Sequence, residues 1–209
     1  MKPKAIITGG NGILGRELKK ALGDYEVFLL DKVKADDVYE VDLTVEDEVK
    51  KATKEIGTVD LIIHAVGIMR RGDLFKTSSD YDLMFNINVK SNWLVMKHAK
   101  LKKDATVLFI SSRHGLYLKK DPGLYSLTKH AQAGLAEVLR KTIPQKIKTA
   151  YPGPFDSPIS KKNVSSADLE KKKKFIRGPD EIAGLILDLL KSDKDNLLFD
   201  EEKNSYEFL

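Results

Sequence analysis

The chain has 209 residues, 42% hydrophobic and 32% charged, the composition of an ordinary globular protein with one sizeable core. Its formal charge of +5 is carried mostly by lysine and spread along the chain, so no nucleic-acid partner is expected. Cysteine is absent, which excludes a disulfide framework and a thiolate metal site.

The longest apolar stretch runs from Leu61 to Met69 and is interrupted by His64. A membrane-spanning helix needs roughly 18 or more apolar residues, so no membrane association is expected. Before Gly9 there are only the apolar residues Ala5, Ile6 and Ile7 in a row, too few for the core of a secretory signal. A cytoplasmic location is the expectation.

Ala5-Ile6-Ile7, cut off by Thr8-Gly9-Gly10, predicts a buried first strand. Ile13, Leu14, Leu18, Ala21 and Leu22 recur at helical spacing, and Gly23 closes that helix. Val27 to Leu30 predicts a second strand ending at Asp31, and Val38 to Val41 a third. About seven residues separate the two, fewer than a helical crossover needs, so a bare loop is expected there. Thr44 and Asp47 have capping-pair spacing and open a helix to about Ile56. Leu61 to Val66 is a fourth strand, followed by a helix from about Ser79 to Lys100 and a fifth strand from Thr106 to Ile110. Asp121-Pro122 starts the next helix and Pro144 stops it. Ile147 to Tyr151 predicts a sixth strand, Pro179 to about Lys191 a last helix, and Leu197 to Phe199 an edge strand. Strands alternating with helices predict an α/β protein, a parallel sheet covered on both faces, as a single domain over residues 1–209. Ligands of such sheets bind beyond the carboxyl ends of the strands, at the switch point in strand order.

Three sets of residues fall at such strand ends. Gly10-Asn11-Gly12-Ile13-Leu14-Gly15 is a G-x-G-x-x-G between a strand and a helix, where glycine lets the backbone approach a pyrophosphate seated on the helix N-terminus. Asp31 ends the next strand and can accept hydrogen bonds from adenosine ribose hydroxyls. Its charge would repel a 2′-phosphate and so favours NAD, whereas Lys32 and Lys34 could pair with one, which keeps NADP open. Tyr125 and Lys129 stand one helical turn apart on one face, and Ser112 ends the preceding strand. An ammonium within ~4–6 Å lowers a phenol pKa from roughly 10 toward the range useful for proton transfer.

Together these residues resemble the short-chain dehydrogenase/reductase family, and the resemblance runs from about Ala5 to the end. Thr8-Gly9-Gly10-Asn11-Gly12-Ile13-Leu14-Gly15 is similar to the family's TGxxGxxG loop. Asp42-Leu43 resembles the pair that meets the adenine, and His64-Ala65-Val66-Gly67 stands in place of N-N-A-G. Asn86-Ile87-Asn88-Val89-Lys90-Ser91 matches the segment of the catalytic asparagine and puts that role on Asn88. Pro152-Gly153-Pro154-Phe155-Asp156-Ser157 resembles the P-G-x-V-x-T segment that receives the nicotinamide carboxamide, with Ser157 for threonine. The chain departs from the pattern in being short, in lacking a helix between the second and third strands, and in lacking a double glycine near the C-terminus.

The resemblance implies a Rossmann-type doubly wound sheet, three layers α/β/α, an NAD or NADP cofactor, and a homodimer or homotetramer. It implies hydride exchange between nicotinamide and a carbonyl or alcohol substrate. Tyr125 would be the acid/base, Ser112 would bind the substrate oxygen, and Lys129 would lower the tyrosine pKa and bind the nicotinamide ribose. Asn88 would hold a water that relays protons. Arg70, Arg71 and Arg113 could clamp a carboxylate or phosphate on the substrate, and His114 faces the pocket. The segment at about 158–176 resembles the family's substrate lid. Trp93, Leu94 and Met96 are expected in core or subunit contact, and no His, Asp and Glu grouping has metal-ligand spacing. Two further readings are a dinucleotide-sensing protein without turnover, and a sugar-nucleotide epimerase, for whose substrate domain there is little room.

Overall fold

The computed structural model describes all residues except 72–74, 76–77, 119–121 and 159–172. Most of the expected lid at 158–176 and part of the lysine run from Lys171 to Lys174 lie outside the described residues. So does Asp121, expected to open a helix.

Eight strands form one sheet: β1 Lys4–Thr8, β2 Glu26–Asp31, β3 Val38–Glu40, β4 Thr58–His64, β5 Lys100–Ile110, β6 Lys146–Tyr151, β7 Asn196–Asp200 and β8 Ser205–Phe208. Their order is β3-β2-β1-β4-β5-β6-β7-β8. Every neighbouring pair is parallel except β7 and β8. The order reverses between β1 and β4, and the crevice above that point is where this architecture takes ligands. Around the sheet lie helices α1 Ile13–Ala21, α2 Glu46–Ile56, α3 Ser78–Phe85, α4 Ser91–His98, α5 Gly123–Thr142 and α6 Pro179–Lys191.

Side chains alternate along a strand, so a sheet buried on both faces needs apolar residues at successive positions. Ala5 and Ile7 of β1 face α1 and α6, packing in one core with Leu18, Ile182, Ile186 and Leu189. Ile6, between them, belongs to the opposite core, with Val49 of α2, Leu94 and Val95 of α4 and Ala136 of α5. Burial of each such side chain contributes about 1.5–3 kcal/mol. The three-layer α/β/α architecture follows from this double burial.

Several local expectations need correction. Thr44 does not cap α2: its hydroxyl and N–H both donate to Asp42 Oδ1, at 2.6 and 3.0 Å, and Val45 stands at the N-cap. Glu46, Asp47 and Glu48 supply negative charge to the first turn instead. Gly23 does not take the left-handed conformation; Gly57 does so after α2, at φ 81°. Pro122 is the N-cap of α5 rather than its first residue. The helix expected from Ser79 to Lys100 is broken by a π turn over Asn86–Lys90 and ends at His98, and β5 begins six residues earlier than Thr106, at Lys100. Leu197 to Phe199 lies inside the sheet, because the unforeseen β8 pairs antiparallel beyond it. The turn between them is set by Asp200, whose Oδ1 accepts from Glu202 and Lys203 N–H, and by Asn204 at φ 49°.

The link between β2 and β3 is a bare loop, as expected. Its shortness is tolerated because β3 has three residues and pairs only with Leu29, Leu30 and Asp31 at the end of β2. The chain therefore returns by a few residue rises of about 3.3 Å and not by a whole strand length.

Candidate functional site

One cleft of about 520 Å³ opens above the carboxyl ends of the strands. The turn after β1 forms its floor at one end. Gly9 takes φ 66°, and a Cβ there would lie 2.7 Å from Val66 Cα, so this turn packs against the end of β4 only as glycine. Asn11, Gly12, Ile13, Leu14 and Gly15 line the same end. Asp31 joins them, its Oδ2 accepting from Asn11 N at 3.0 Å and its Oδ1 from Val33 N at 3.0 Å. The N-terminus of α1 has no side-chain cap and no acidic residue in its first turn. Its backbone donors and positive dipole end suit an anionic group.

Ser112, Tyr125 and Lys129 line the other end. Ser112 leaves β5 and accepts from His114 N at 3.2 Å, and it lies in hydrogen-bond reach of the Tyr125 hydroxyl. Tyr125 and Lys129 are in the first two turns of α5, 9% and 4% exposed. Lys129 Nζ donates to Ile110 O at 3.1 Å and to Gln132 Oε1 at 2.9 Å, and lies 5.8 Å from the centre of the Tyr125 ring.

The electrostatics reverse the simple expectation for this pair. Burial pushes the Tyr125 phenol up to about 12, with the Ser112 hydroxyl opposing the rise. Burial also brings the Lys129 ammonium down to about 7. Desolvation, which disfavours whichever form carries charge, is the main cause for both groups.

Asn88 sits on the π turn and is fully buried. Its Nδ2 donates to Ile68 O and to Thr128 Oγ1, both at 2.9 Å, and its Oδ1 accepts from Ile68 N at 2.8 Å. Thr128 in turn donates to Tyr125 O at 2.8 Å. Both amide protons of Asn88 are used within the protein, so its side chain braces the cleft wall.

Other expected residues divide clearly. Ala65, Val66, Gly67, Pro152, Gly153, Phe155, Ser157, Arg71, Arg113 and His114 line the cleft. Gly10, Lys32, Asp42, Leu43, His64 and Arg70 are not among its lining residues. Gly10 packs on Leu29, where a Cβ would lie 2.5 Å from the Leu29 Cβ. Asp42 pairs with Lys32 at 2.6 Å, which together with the Thr44 hydroxyl holds its carboxyl at about 2. Leu43 is in the core beside α2. His64 is buried in the sheet, stacked on Phe109 with ring centroids 4.5 Å apart, and burial takes its pKa to about 3. Arg70 turns its N–H to Met84 Sδ at 3.3 Å. Arg113 forms an ion pair with Glu201 in the β7–β8 turn, so its charge is already matched. His114 packs edge-on against the Tyr125 ring, and Ser126 Oγ, which donates to Pro122 O, lies 3.2 Å from its Nδ1.

Ile110 and Ser111 also line the cleft, and Thr128 and Gln132 support it from behind. Gln132 was legible as a polar residue on the core-facing stripe of α5, three residues after Lys129. Among the described residues, no group of three or more His, Asp or Glu could hold a metal ion, and no helix is long and apolar enough to cross a membrane.

This chain belongs to the short chain dehydrogenase family, whose model matches residues 3–168. An uncharacterized oxidoreductase of Thermotoga maritima is 30% identical over 128 residues, covering 59% of this chain and 48% of that protein. Oxidoreductase UcpA of Escherichia coli is 30% identical over 122 residues, covering 54% and 46%. The chain thus spans about half the length of these curated relatives. The crystal structure of a short chain dehydrogenase family protein from Francisella tularensis matches with a TM-score of 0.78 at 24% identity, covering 92% of each chain. A short chain dehydrogenase from Burkholderia cenocepacia in complex with NADP matches with a TM-score of 0.79 at 20% identity, covering 94% and 95%. At such identities the two structures share the fold.

Proposed function

We propose that the protein is an NAD(P)-dependent oxidoreductase that interconverts a carbonyl and an alcohol, with Tyr125 as the proton donor and acceptor. The observation that carries this reading is the convergence of Ser112, Tyr125 and Lys129 at one end of a cleft whose other end is the glycine turn, the open N-terminus of α1 and Asp31. An elongated dinucleotide fits such a cleft: its pyrophosphate would be held by Gly12 to Gly15, its adenosine ribose by Asp31, and its nicotinamide half near Pro152 to Ser157. When bound, that group supplies the hydride chemistry.

The chain's own residues do the rest. A phenol held at about 12 is protonated at neutral pH, so Tyr125 begins as the proton donor, which suits reduction of a carbonyl. Ser112 holds the substrate oxygen at the same point. Lys129, brought down to about 7 in the free protein, sits at the edge of ionisation, where small changes around it alter its charge. Asn88 keeps Ile68 and Thr128 in place on either side of the reacting end.

NAD is the proposed cofactor. Asp31 lines the cleft, and the lysine beside it, Lys32, is matched to Asp42, which leaves a 2′-phosphate facing a carboxylate. A homodimer or homotetramer is proposed for the assembly, supported by the exposed apolar side chains of Trp93 on α4 and Val138 on α5, and light scattering measures it.

Fluorescence titration with NADH and NADPH, followed by a panel of carbonyls and alcohols read at the nicotinamide absorbance, tests the reading. Turnover on at least one member is expected, abolished by Tyr125→Phe with dinucleotide affinity nearly unchanged. Binding without turnover across the panel would favour the sensing protein, and an active Tyr125→Phe variant would remove Tyr125 from the reaction.

A further inference from the structure

Behind the cleft wall lies a layer of buried polar side chains that the proposed reaction does not use. Gln132, fully buried on α5, accepts from Lys129 Nζ through Oε1 at 2.9 Å. An ammonium only donates, so the atom of Gln132 facing it is the oxygen. The other half of that carboxamide, Nε2, is buried without a hydrogen-bond partner among the described residues. Asn92 stands one turn beyond Asn88, to whose carbonyl its Nδ2 donates at 2.8 Å, and Gln132 one turn beyond Thr128. Asn88 and Thr128 are themselves hydrogen-bonded. The Gln132 amide is oriented with its oxygen toward Lys129 by the hydrogen bond from Nζ.

We propose that Gln132 is a positioning residue that holds the Lys129 ammonium in the cleft wall and favours its protonated form. Among the described residues, Lys129 Nζ has two hydrogen-bond acceptors, the Ile110 carbonyl at 3.1 Å and Gln132 Oε1. The first is fixed by the sheet. The second is a side chain, and it sets how far the ammonium is drawn back against the Tyr125 ring. The titratable and charged groups around the lysine are Tyr125 on its own helix, His114 from the turn after β5, His64 from β4, Arg71 and Arg113 in the cleft lining, and Asp31 at the far end. None of them supplies a compensating charge to the ammonium, on which burial acts unopposed by any ion pair. A neutral amide oxygen is then the side-chain group that stabilises the cation, and hydrogen bonding to a charged form raises the pKa of a base.

The functional weight of this inference rests on the reading of Lys129 given above, and its test is independent of turnover. Lysine labelled with carbon-13 at Cε is titrated by NMR in the full chain, with Lys129→Met identifying the Lys129 signal. Gln132→Met keeps the volume and removes the acceptor; it is expected to lower the Lys129 midpoint by about one pH unit. Gln132→Glu places a carboxylate at the same point and is expected to raise the midpoint by at least as much. Midpoints unchanged in both variants would overturn the inference. If the midpoints move as stated while Lys129→Met retains turnover, the inference stands and the proposed reaction falls.

Discussion

Asn88 grips the peptide groups of Ile68 from both sides, its Oδ1 accepting from Ile68 N at 2.8 Å and its Nδ2 donating to Ile68 O at 2.9 Å. The same Nδ2 reaches Thr128 on α5, so one side chain ties the segment after β4 to the helix that carries Tyr125 and Lys129. Asn88→Ala takes a partner from the part-buried Ile68 N–H and Ile68 O and from the buried Thr128 Oγ1. A loss of about 2–4 kcal/mol is expected in urea unfolding, since each unmet buried group costs about 1–3 kcal/mol. A loss below half a kcal/mol (roughly the effect of an ordinary surface change) would show that the brace is dispensable.

Lys129 makes stability depend on pH with a definite sign. Its pKa is about 7 folded and 10.5 unfolded. Between those values the unfolded chain binds a proton that the folded chain does not, so this group makes stability rise with pH through the window. Below pH 7 the fold must hold a buried ammonium, and its contribution is at its least favourable. Lys129→Met removes the dependence, and the difference between variant and parent should change by up to about 1.4 kcal/mol per pH unit across the window. Denaturant midpoints at several pH values check this, and parallel curves for the two proteins would contradict it.

His64 acts in a different range. Buried with a pKa of about 3 against an ordinary 6.5, it stays neutral in the folded chain while the unfolded chain takes up a proton. Its contribution is fully present above pH 6.5 and is lost as the pH falls toward 3. His64→Phe, which keeps a ring against Phe109, should unfold at lower pH than the parent in an acid titration followed by circular dichroism. An unchanged acid midpoint would mean that His64 is not the group being titrated.

Asp31 is expected to set dinucleotide preference. Asp31→Asn keeps an oxygen for one of the Asn11 and Val33 N–H groups, which use separate carboxylate oxygens, and removes the charge. The ratio of NADH to NADPH affinity should fall about tenfold, which corresponds to ~1.4 kcal/mol. Paired fluorescence titrations measure the ratio, and no change would free Asp31 of that role.

Much of the fold was legible because its signals are local and mutually consistent. Ala5-Ile6-Ile7 can be apolar at three successive positions only in a strand buried on both faces, and the glycine turn after it fixes where the helix begins. The candidate site was legible for the same reason, since Ser112, Tyr125 and Lys129 each fall at a strand end or in the first turns of a helix. Non-local choices were hidden. Thr44 has the sequence of a cap, but a nearby carboxylate, Asp42, takes its hydroxyl. The strand β8 has an apolar pattern too short to declare itself, and it exists because the turn at Asp200 to Asn204 folds it back onto β7. Nor could spacing show that burial would dominate the tyrosine and lysine pair. That depends on how completely the cleft wall closes over both groups.

The π turn at Asn86–Lys90 has a consequence for how this chain can change length. A π turn holds one residue more than an α-helical turn, so deleting a single residue there would restore regular helix geometry. Because five residues of π turn sweep nearly the same angle as four of α-helix, α3 would keep its facing relative to α4. Met84 would keep its packing with Leu124 and Tyr125, whereas Asn88, inside the turn, would lose its place against Ile68. The cost of shortening the chain there would thus fall on the hydrogen bonds that tie Asn88 to Ile68 and Thr128 and not on the packing of α3.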